Sequence, residues 1–296
     1  MSAAPRPTLR RLVERRAGLV VPGAYDGVSA RLVERAGFEA VYMTGYGTSA
    51  ARLGLPDLGF AGLAEMLENA RLLAATVRIP LIADADTGYG GALAVERTVR
   101  AYEAAGVAAL HLEDQVWPKR CGHLAGKEVV PREEMVARLR AAAEARRDPD
   151  LLLIARTDAI AVTGFDDALG RAEAYATAGA DVLFVEAPTT VAEIETIPRA
   201  LGKPCLFNYA PGGRSPLLPV RRLAALGYAI VLLPVQTLFA AAAAMAGYLA
   251  ALRQAGEPAG SDDRLMPFAE FNALFGVPDL LERERRFRGG GSLPGA

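Results

Sequence analysis

Short apolar runs alternate along the chain with longer segments in which apolar residues recur at helical spacing. The runs are rich in Val, Ile, Leu and aromatic residues and are apolar at nearly every position, which is typical of parallel strands covered on both faces. Eight runs of this kind are predicted as strands, at residues 19–22, 40–44, 79–83, 107–112, 151–155, 182–185, 205–207 and 229–233. Segments able to form helices lie between them, so the pattern predicts a repeated strand–helix unit.

A weak internal repeat supports this unit. Helix-like segments end four times in a glycine that a strand follows within a few residues, at Gly37, Gly106, Gly179 and Gly227. Glycine just past a helix end is the usual left-handed stop. Eight such units in about 250 residues have the size of a (β/α)₈ barrel, or TIM barrel, which is the α/β fold we predict. A doubly wound open sheet is the alternative, although residues 22–27 do not match the glycine-rich turn that would follow its first strand.

Helical segments flank the strands of the barrel domain, which we place at residues 1–256. Residues 9–17 predict an amphipathic helix before the first strand. Residues 264–288 predict one or two short helices in a C-terminal extension and tail, 257–296, whose aromatic and leucine side chains need a surface to pack on. A partner subunit and the chain's own barrel are both candidates for that surface. The alanine-rich run at 238–249 is shorter than a membrane span and predicts a packed helix.

Composition narrows the class of protein further. The chain has 296 residues, is 52% hydrophobic and carries a formal net charge of -1. It can therefore bury a large core, and it has no general electrostatic reason to bind nucleic acid or an anionic membrane. The N-terminus lacks the apolar core of a signal peptide, and Cys121 and Cys205 predict free thiols in a cytoplasmic protein. The one cysteine and one histidine of the loop at residues 117–127 do not make a set of zinc ligands. No phosphate-binding loop or nucleophile elbow stands out in the chain.

Two aspartates end the third predicted strand. Because side chains alternate along a strand, Asp84 and Asp86 project from the same face. Two converging carboxylates suit a hard divalent cation such as Mg²⁺. An ordinary turn rich in Asp and Gly is the simpler interpretation of residues 84–90. The other strand ends therefore decide between a metal site and a turn.

Polar residues follow the other strands at the end where a barrel of this kind has its active site. They are Tyr42, Thr44, His111, Glu113, Arg156, Asp158, Glu186 and Asn208. Polar groups are costly to bury without partners, so their convergence predicts an acidic site with one arginine. Glu113 would join the two aspartates in holding Mg²⁺, directly or through water, and Arg156 would bind an anionic substrate. His111 is expected in the barrel layer below Glu113 rather than as a ligand.

A long polar loop, residues 117–127, follows the fourth strand and contains Cys121. Lys119, Arg120 and His123 give this cysteine a positive environment, which favours the thiolate and predicts a reactive or proton-transferring group. Because the loop is long, polar and contains glycine, we predict that residues 117–127 form a mobile lid. An incidental thiol in a basic loop is the alternative.

Six short motifs give the chain a family resemblance, at residues 43–49, 54–57, 84–90, 112–115, 118–123 and 155–158. In these motifs the chain resembles the isocitrate lyase/phosphoenolpyruvate mutase superfamily over nearly its full length, with methylisocitrate lyases and carboxyvinyl-carboxyphosphonate phosphorylmutase as the most similar members. The Lys-Arg-Cys-Gly-His motif of the lid is specific to the lyase side. The resemblance implies a (β/α)₈ barrel in a homotetramer, a dimer of dimers, with the C-terminal helices swapped between subunits.

The resemblance also implies roles for individual residues. Asp84 and Asp86 would lie closest to Mg²⁺, for which Mn²⁺ could substitute. Asp57 and Glu113 would act on the metal through water. Cys121 matches the general acid of the lyases. The other matched positions bind the substrate or act on it, and they are Tyr42, Thr44, Gly45, Tyr46, Gly122, His123, Arg156, Glu186 and Asn208.

The implied function is a Mg²⁺-dependent carbon–carbon lyase, similar to methylisocitrate lyase, that cleaves a 2-hydroxy di- or tricarboxylate to a 2-oxo acid and a carboxylate. Tyr42 would take the hydroxyl proton, Arg156 would stabilise the developing oxyanion and Cys121 would protonate the carbanion. The lyases have hydroxyl residues after the seventh strand, whereas residues 209–213 here are Tyr-Ala-Pro-Gly-Gly, which makes tricarboxylates less suitable. Formation of a phosphorus–carbon bond, hydrolysis or decarboxylation of oxaloacetate, and non-enzymatic binding are the alternatives.

Overall fold

Eight strands close into a barrel in the computed structural model of the chain, which describes residues 6–122, 124–258 and 265–288. The strands are β1 Leu19–Ala24, β2 Val41–Met43, β3 Leu81–Asp84, β4 Ala109–Glu113, β5 Leu152–Thr157, β6 Val182–Val185, β7 Cys205–Asn208 and β8 Tyr228–Leu233. Each strand pairs in parallel with the next in chain order, and β8 pairs with β1 to close the ring. The predicted (β/α)₈ barrel is confirmed, and the closed ring excludes the open doubly wound sheet.

Helices flank the strands. They are α1 Arg6–Glu14, α2 Gly27–Arg35, α3 Gly45–Thr48, α4 Leu63–Thr76, α5 Ala92–Ala105, α6 Arg132–Ala145, α7 Phe165–Thr177, α8 Val191–Ala200, α9 Val220–Leu226, α10 Gln236–Ala255, α11 Phe268–Leu274 and α12 Val277–Arg288. The predicted glycine stops are present, since α5 and α9 end at Gly106 and Gly227 with left-handed φ angles of 90° and 99°. The first helix ends at Glu14 rather than at residue 17, because Arg16 has a left-handed φ of 47°.

Strand alternation fills the ring with side chains from alternate positions. The buried inner cluster includes Leu9, Val13, Val21, Ile82, Ile154 and Ile230. The first two of these belong to α1, which therefore packs on the interior of the barrel. Two positions after Ile82 comes Asp84, and two positions after Ile154 comes Arg156, so the inward face becomes polar at the carboxyl ends of the strands. The packing of the core thus determines where the polar side chains meet.

The chain divides into two compact units, Met1–Phe239 and Ala240–Ala296. The division falls inside α10, whereas the predicted end of the barrel domain, residue 256, lies just after that helix. The second unit contains α11 and α12, which confirm the short helices predicted within 264–288. In this unit the rings of Phe271 and Phe275 pack with their centroids 5.1 Å apart.

The helix α10 differs from the packed helix predicted at 238–249. It spans 20 residues, and none of them is buried in the part of the chain that the structure describes. Alanine is the strongest helix former, so the helix extends beyond the apolar run in both directions. By length and composition alone, α10 is long and apolar enough to cross a membrane.

Replacing Leu9 by Ala is expected to lower the free energy of unfolding by about 2–5 kcal/mol, because it removes a large buried side chain from the inner cluster. Leu9 is 0% exposed, whereas Leu93 on α5 is 83% exposed. Urea unfolding followed by circular dichroism measures the change. Leu93→Ala is the matched control and should cost less than about 0.5 kcal/mol. Equal, small losses in the two variants would show that α1 does not stabilise the barrel.

Candidate active site

A cavity of about 220 Å³ lies at the carboxyl ends of the strands. Of the residues predicted from the sequence it is lined by Tyr42, Thr44, Tyr46, Asp57, Asp84, Glu113, Cys121, Gly122, Arg156, Glu186 and Asn208. Strand parity therefore brings together side chains that are more than 160 positions apart along the chain, since Asn208 and Tyr42 line the same cavity. His123 lies outside the described residues.

Gly45 and Asp86 lie behind the lining rather than in it. The Gly45 backbone N–H donates to Asp84 Oδ2 over 3.1 Å. A Cβ at Gly45 would come within 2.4 Å of the same oxygen, so this position has no room for a side chain. Asp86 is 1% exposed, and its Oδ1 lies 2.6 Å from Lys119 Nζ. Both residues therefore shape the carboxylates of the cavity without forming its surface.

Asp84, which ends β3, and Asp86, two residues later, have pKa values shifted in opposite directions. Burial raises the pKa of Asp86 to about 7, and the carboxylates of Asp84 and Asp57 add to the rise against the opposing effect of Lys119. Burial also disfavours the charged form of Asp84, but His111 and Lys119 outweigh it and lower the pKa of Asp84.

Asp86 has a left-handed φ of 47°, which is strained for a residue other than glycine. Its N–H donates to Asp84 Oδ1 over 3.0 Å, so the turn orients the first carboxylate.

Asp57, Asp84, Asp86 and Glu113 form an acidic floor beneath the cavity. Lys119 of the lid lies in this acidic floor. Its Nζ is 2.5 Å from Asp57 Oδ1 and 2.6 Å from Asp86 Oδ1. Burial lowers the pKa of Lys119, but Asp86 and Asp57 outweigh it and raise that pKa well above its ordinary value. The sequence predicted that Lys119 and Arg120 would give Cys121 a positive environment. Lys119 pairs with the acidic floor and Arg120 Nη1 donates to the Ala125 carbonyl over 3.1 Å, and the positive environment of Cys121 stays a prediction.

The acidic floor suits a further cation, although it is not a ready-made metal cage. Among the described residues no group of three His, Cys, Asp or Glu side chains is arranged to hold a metal ion. Buried carboxylates nevertheless outnumber buried cations around the cavity and lid. The carboxylates are Asp57, Asp84, Asp86, Glu113, Asp158 and Glu186, and the cations are Lys119, Lys127 and Arg156. Glu113 Oε1 is also buried without a hydrogen bond from any described residue. Uncompensated buried negative charge is costly, so the floor fits a divalent cation.

Arg156 is surrounded by three carboxylates. Its Nε lies 2.8 Å from Asp158 Oδ2 and 3.3 Å from Glu113 Oε2, and its Nη2 lies 3.8 Å from Glu186 Oε1. Burial lowers the pKa of Arg156, but these carboxylates raise it well above its ordinary value. The guanidinium carbon lies 5.0 Å from the centre of the Phe184 ring, which fixes the plane of the group. Arg156 therefore stays charged and oriented at the cavity wall.

A buried carboxylate that the sequence did not single out holds the end of β5. Asp114 Oδ1 accepts from the Asp158 N–H over 2.9 Å, and its Oδ2 accepts from Thr157 over 2.7 Å and from Tyr175 over 2.8 Å. Burial raises the pKa of Asp114, and the Asp158 carboxylate adds to the rise. The signal available in the sequence was the position of Asp114 directly after Glu113. Its partners lie on other elements and are not visible in a strand pattern.

Tyr42, His111 and Asp84 form a chain of polar contacts across the barrel. Tyr42 Oη lies 3.0 Å from His111 Nδ1, and His111 Nε2 lies 3.1 Å from Asp84 Oδ1. Burial lowers the pKa of His111 despite the Asp84 carboxylate, so the ring is neutral. A proton on Nε2, on the side of the carboxylate, would leave Nδ1 to accept from Tyr42. Burial and Asp84 raise the pKa of Tyr42 well above its ordinary value. As predicted, His111 lies in the barrel layer, 1% exposed.

A backbone hydrogen bond joins the two ends of the lid at its base. The Val116 N–H, just before the lid, donates to the carbonyl of Glu128, just after it, over 2.9 Å. At its tip the Leu124 N–H donates to the Cys121 carbonyl over 2.9 Å, which closes a turn. A Cβ at Gly122 would come within 2.3 Å of Arg156 Nη2 and of Glu186 Oε1. The lid backbone therefore rests directly on this pair and places Cys121 at the cavity.

Another part of the cavity lining is apolar. It is formed by Phe184, Leu232, Pro234, Val235 and Phe239, with Ala210 and Pro211 from the loop after β7. Phe239 also packs edge-on against Tyr46, with ring centroids 6.1 Å apart. No role was predicted for the end of β8, because its residues are apolar. The cavity thus has a charged side and an apolar side.

Fold and site together define the class of protein: a (β/α)₈ barrel with an acidic, arginine-containing cavity at the strand ends and a cysteine-bearing lid over it. Residues 9–253 match the family model described as phosphoenolpyruvate phosphomutase. The chain is 44% identical to 2,3-dimethylmalate lyase of Eubacterium barkeri, over 95% of this chain and 98% of that protein. It is 42% identical to 2-methylisocitrate lyase of Aeropyrum pernix, over 95% of this chain and 90% of that protein. The chain belongs to the phosphoenolpyruvate phosphomutase family, within the isocitrate lyase/phosphoenolpyruvate mutase superfamily.

Solved structures agree with this assignment. Oxaloacetate acetylhydrolase in complex with the inhibitor 3,3-difluorooxalacetate has a TM-score of 0.91 and 41% identity, covering 98% of this chain and 99% of that one. Phosphonopyruvate hydrolase in complex with oxalate and Mg²⁺ has a TM-score of 0.85 and 32% identity, covering 97% of this chain and 99% of that one. The relatives are lyases and phosphonomutases, and this chain is an enzyme of the same superfamily. The resemblance found in the sequence motifs is confirmed.

Gly122→Ala is expected to reduce turnover by about 10²-fold, because the added methyl group cannot fit against Arg156 and Glu186 while the lid keeps this position. Emission from Trp117, the single tryptophan and a residue of the lid, should shift as the lid is displaced. Gly202→Ala is the matched control, since a Cβ there meets nothing within 4 Å. Equal turnover and emission in the two variants would show that the lid does not rest on the pair.

Proposed function

We propose that the chain is a Mg²⁺-dependent carbon–carbon lyase that cleaves an alkyl-substituted 2-hydroxy dicarboxylate to a 2-oxo acid and a carboxylate. The strongest support is that Cys121, Arg156 and an acidic floor meet in one cavity. Cleavage of this kind needs a group that stabilises the developing oxyanion and an acid that protonates the leaving carbanion. The activities named for two relatives, 2,3-dimethylmalate lyase and 2-methylisocitrate lyase, support the reaction class.

In this proposal Asp84 and Asp86 would hold Mg²⁺, or Mn²⁺ in its place. Asp57 and Glu113 would act on it through water. When bound, the cation would polarise the oxygens of the hydroxy acid and neutralise negative charge that develops there. The excess of buried carboxylates and the unpartnered Glu113 oxygen support a cation at the floor. The complex of phosphonopyruvate hydrolase with oxalate and Mg²⁺ supports the same choice of metal.

The substrate would bind between the floor and the lid. The proposed contacts are Thr44, Gly45, Tyr46, Gly122, His123, Arg156, Glu186 and Asn208. Arg156 is suited to this role because its charge is secure and its guanidinium is already oriented. Asn208 Nδ2 donates to Glu186 Oε1 over 3.1 Å, so these two side chains are also held in place before substrate arrives. A pre-arranged site of this kind lowers the cost of fixing the substrate.

Proton transfer in the proposed reaction would use two residues on opposite sides of the substrate. Because the Tyr42 pKa is raised, Tyr42 would accept the substrate's hydroxyl proton only as it passes its own proton to His111 Nδ1, 3.0 Å away. The electrons of the broken carbon–carbon bond would go to the carbon next to the carboxylate. Cys121 would give its S–H proton to that carbon, which yields the carboxylate product. Arg156 would stabilise the oxyanion formed at the hydroxyl oxygen.

The apolar wall supports alkyl substituents over a third carboxylate. Leu232, Val235 and Phe239 offer no hydrogen-bond donor from their side chains, and a carboxylate buried against them would lose its hydration without compensation. The loop after Asn208 contributes Ala210 and Pro211 where hydroxyl residues would be expected for a tricarboxylate. Alkyl branches, in contrast, gain by leaving water.

Cleavage of oxaloacetate is the second candidate function. The solved oxaloacetate acetylhydrolase matches this chain at a TM-score of 0.91, and the same floor and arginine would suit a smaller dicarboxylate. Formation of a phosphorus–carbon bond is a third, because the family model is described as a phosphomutase. The cysteine lid supports carbon–carbon cleavage over phosphorus–carbon chemistry, since the leaving carbanion needs a proton donor.

We also propose that the chain acts as a homotetramer, a dimer of dimers with swapped C-terminal helices, in the cytoplasm and without nucleic acid or membrane partners. Exposed apolar side chains on α11 and α12 support the assembly, since Phe268 is 84% and Phe287 73% exposed. The relatives are soluble enzymes, which supports a soluble protein despite the apolar length of α10. Neither Cys121 nor Cys205 is in a disulfide, as a reducing compartment would allow.

Cys121→Ala is expected to lower kcat by about 10²–10⁴-fold with little change in substrate affinity, because the thiol acts on the carbanion and not on the bound ground state. Steady-state kinetics together with calorimetric binding of the substrate would measure both effects. Cys205→Ala is the matched control, since that thiol is buried in β7 away from the cavity. An unchanged kcat in Cys121→Ala would show that Cys121 is not the proton donor.

Removal of divalent cations with a chelator is expected to abolish turnover, and Mg²⁺ or Mn²⁺ should restore it.

A screen of dialkylmalates, methylisocitrate, oxaloacetate and phosphonopyruvates, with 2-oxo acid release and phosphorus NMR as readouts, would identify the substrate. We expect kcat/KM for a dialkylmalate to exceed that for methylisocitrate by at least about tenfold, the discrimination that an apolar pocket provides. Phosphorus–carbon chemistry in the absence of any 2-oxo acid release would replace the proposal with the mutase.

A further inference from the structure

Lys127, the last residue of the lid, is a buried cation to which the proposed reaction gives no role. Its Nζ lies 2.7 Å from Asp158 Oδ1, and it also donates to the backbone carbonyl of Gly122. Asp158 follows β5 and is 0% exposed, whereas Gly122 is at the tip of the lid. One ammonium group therefore joins the barrel to the lid tip.

The barrel end of this connection is held rigidly. Asp158 Oδ2 accepts from Arg156 Nε over 2.8 Å, and the Asp158 N–H donates to Asp114 Oδ1 over 2.9 Å. Burial raises the pKa of Asp158, but Arg156 and Lys127 outweigh it and keep that carboxyl ionised. Removing one member of a buried pair leaves the other charge without compensation, so the connection is strongly favoured once formed.

The lid end of the connection lies one residue from the thiol. Gly122 lies inside the turn that the Leu124 N–H closes on the Cys121 carbonyl, so fixing the Gly122 carbonyl also limits where the Cys121 backbone can lie. The base of the lid is held separately, by the bond from the Val116 N–H to Glu128. Lys127 is therefore not needed to keep the lid attached, and its bond to Gly122 acts on the tip alone.

We propose that Lys127 is a positioning residue that places Cys121 over the cavity by joining Asp158 to the Gly122 carbonyl. The catalytic consequence rests on the proposed function, in which Cys121 is the proton donor. Asp158 also holds Arg156, so one carboxylate sets both the arginine and, through Lys127, the thiol. The two groups that act on the substrate thus keep a fixed spacing.

Lys127→Met tests the proposal without any substrate. Alkylation of each thiol by iodoacetamide, resolved by mass spectrometry, should become about tenfold faster at Cys121 while buried Cys205 stays unreactive, because only the lid tip is freed. In kinetics, kcat should fall by about tenfold or more with KM within about twofold, the pattern for a group that acts only in the transition state.

Two further variants keep the test decisive. Lys127→Gln can donate to one acceptor but has no charge, so its Cys121 alkylation rate should fall between those of the parent and Lys127→Met. Lys203→Met removes an exposed lysine and should change nothing. An unchanged Cys121 alkylation rate in Lys127→Met, or equal acceleration at Cys121 and Cys205, would overturn the positioning role. Faster alkylation of Cys121 alone, in a protein that cleaves no 2-hydroxy acid, would uphold the positioning role and overturn the proposed function.

Discussion

Two lysines of the lid neutralise carboxylates that the barrel has buried, and the arrangement of the site depends on this balance of charge. The strand ends contain more carboxylates than Arg156 can compensate, and each is costly to bury alone. Lys119 lies between Asp57 and Asp86, and Lys127 lies against Asp158. The lid is therefore held on the barrel by charge at two points, and the thiol lies between those points in the sequence. Loss of either pairing would remove both a neutralising charge and a constraint on the thiol.

The acidic floor itself follows from the barrel and could be predicted from the sequence. Eight apolar runs with glycine stops indicate the closed parallel ring, and the ring dictates that strand ends share one face. The period of two along each strand then places Asp84 two residues after Ile82 and Arg156 two residues after Ile154, on the inward face. His111 was expected as a buried layer residue by the same parity, and it is 1% exposed. Period and topology are properties of single strands, so one sequence suffices for them.

Contacts between side chains on different elements could not be predicted in this way. The partner of a long lysine depends on the path of the loop that bears it, so the pairing of the Lys119 ammonium with Asp57 and Asp86 was not predicted. The same holds for Asp114, whose partners lie on β5 and α7. The prediction that α10 is a packed helix was wrong for a different reason. Helix propensity predicts that the helix forms, but whether it is buried depends on surfaces that the pattern does not specify.

The division of the cavity into a charged side and an apolar side limits how an enzyme built on this barrel can change its substrate. A substitution on the charged side alters the balance that holds the lid, since Asp158 contacts both Arg156 and Lys127. Leu232, Val235 and Phe239 have no part in that balance, because their side chains form neither hydrogen bonds nor ion pairs. Their size and shape can vary while the floor, the arginine and the thiol keep their positions. Under the proposed function, selection among substrates would therefore fall to the ends of β7 and β8 and the start of α10, and the bond-breaking step would fall to the ends of β2 to β6 and the lid.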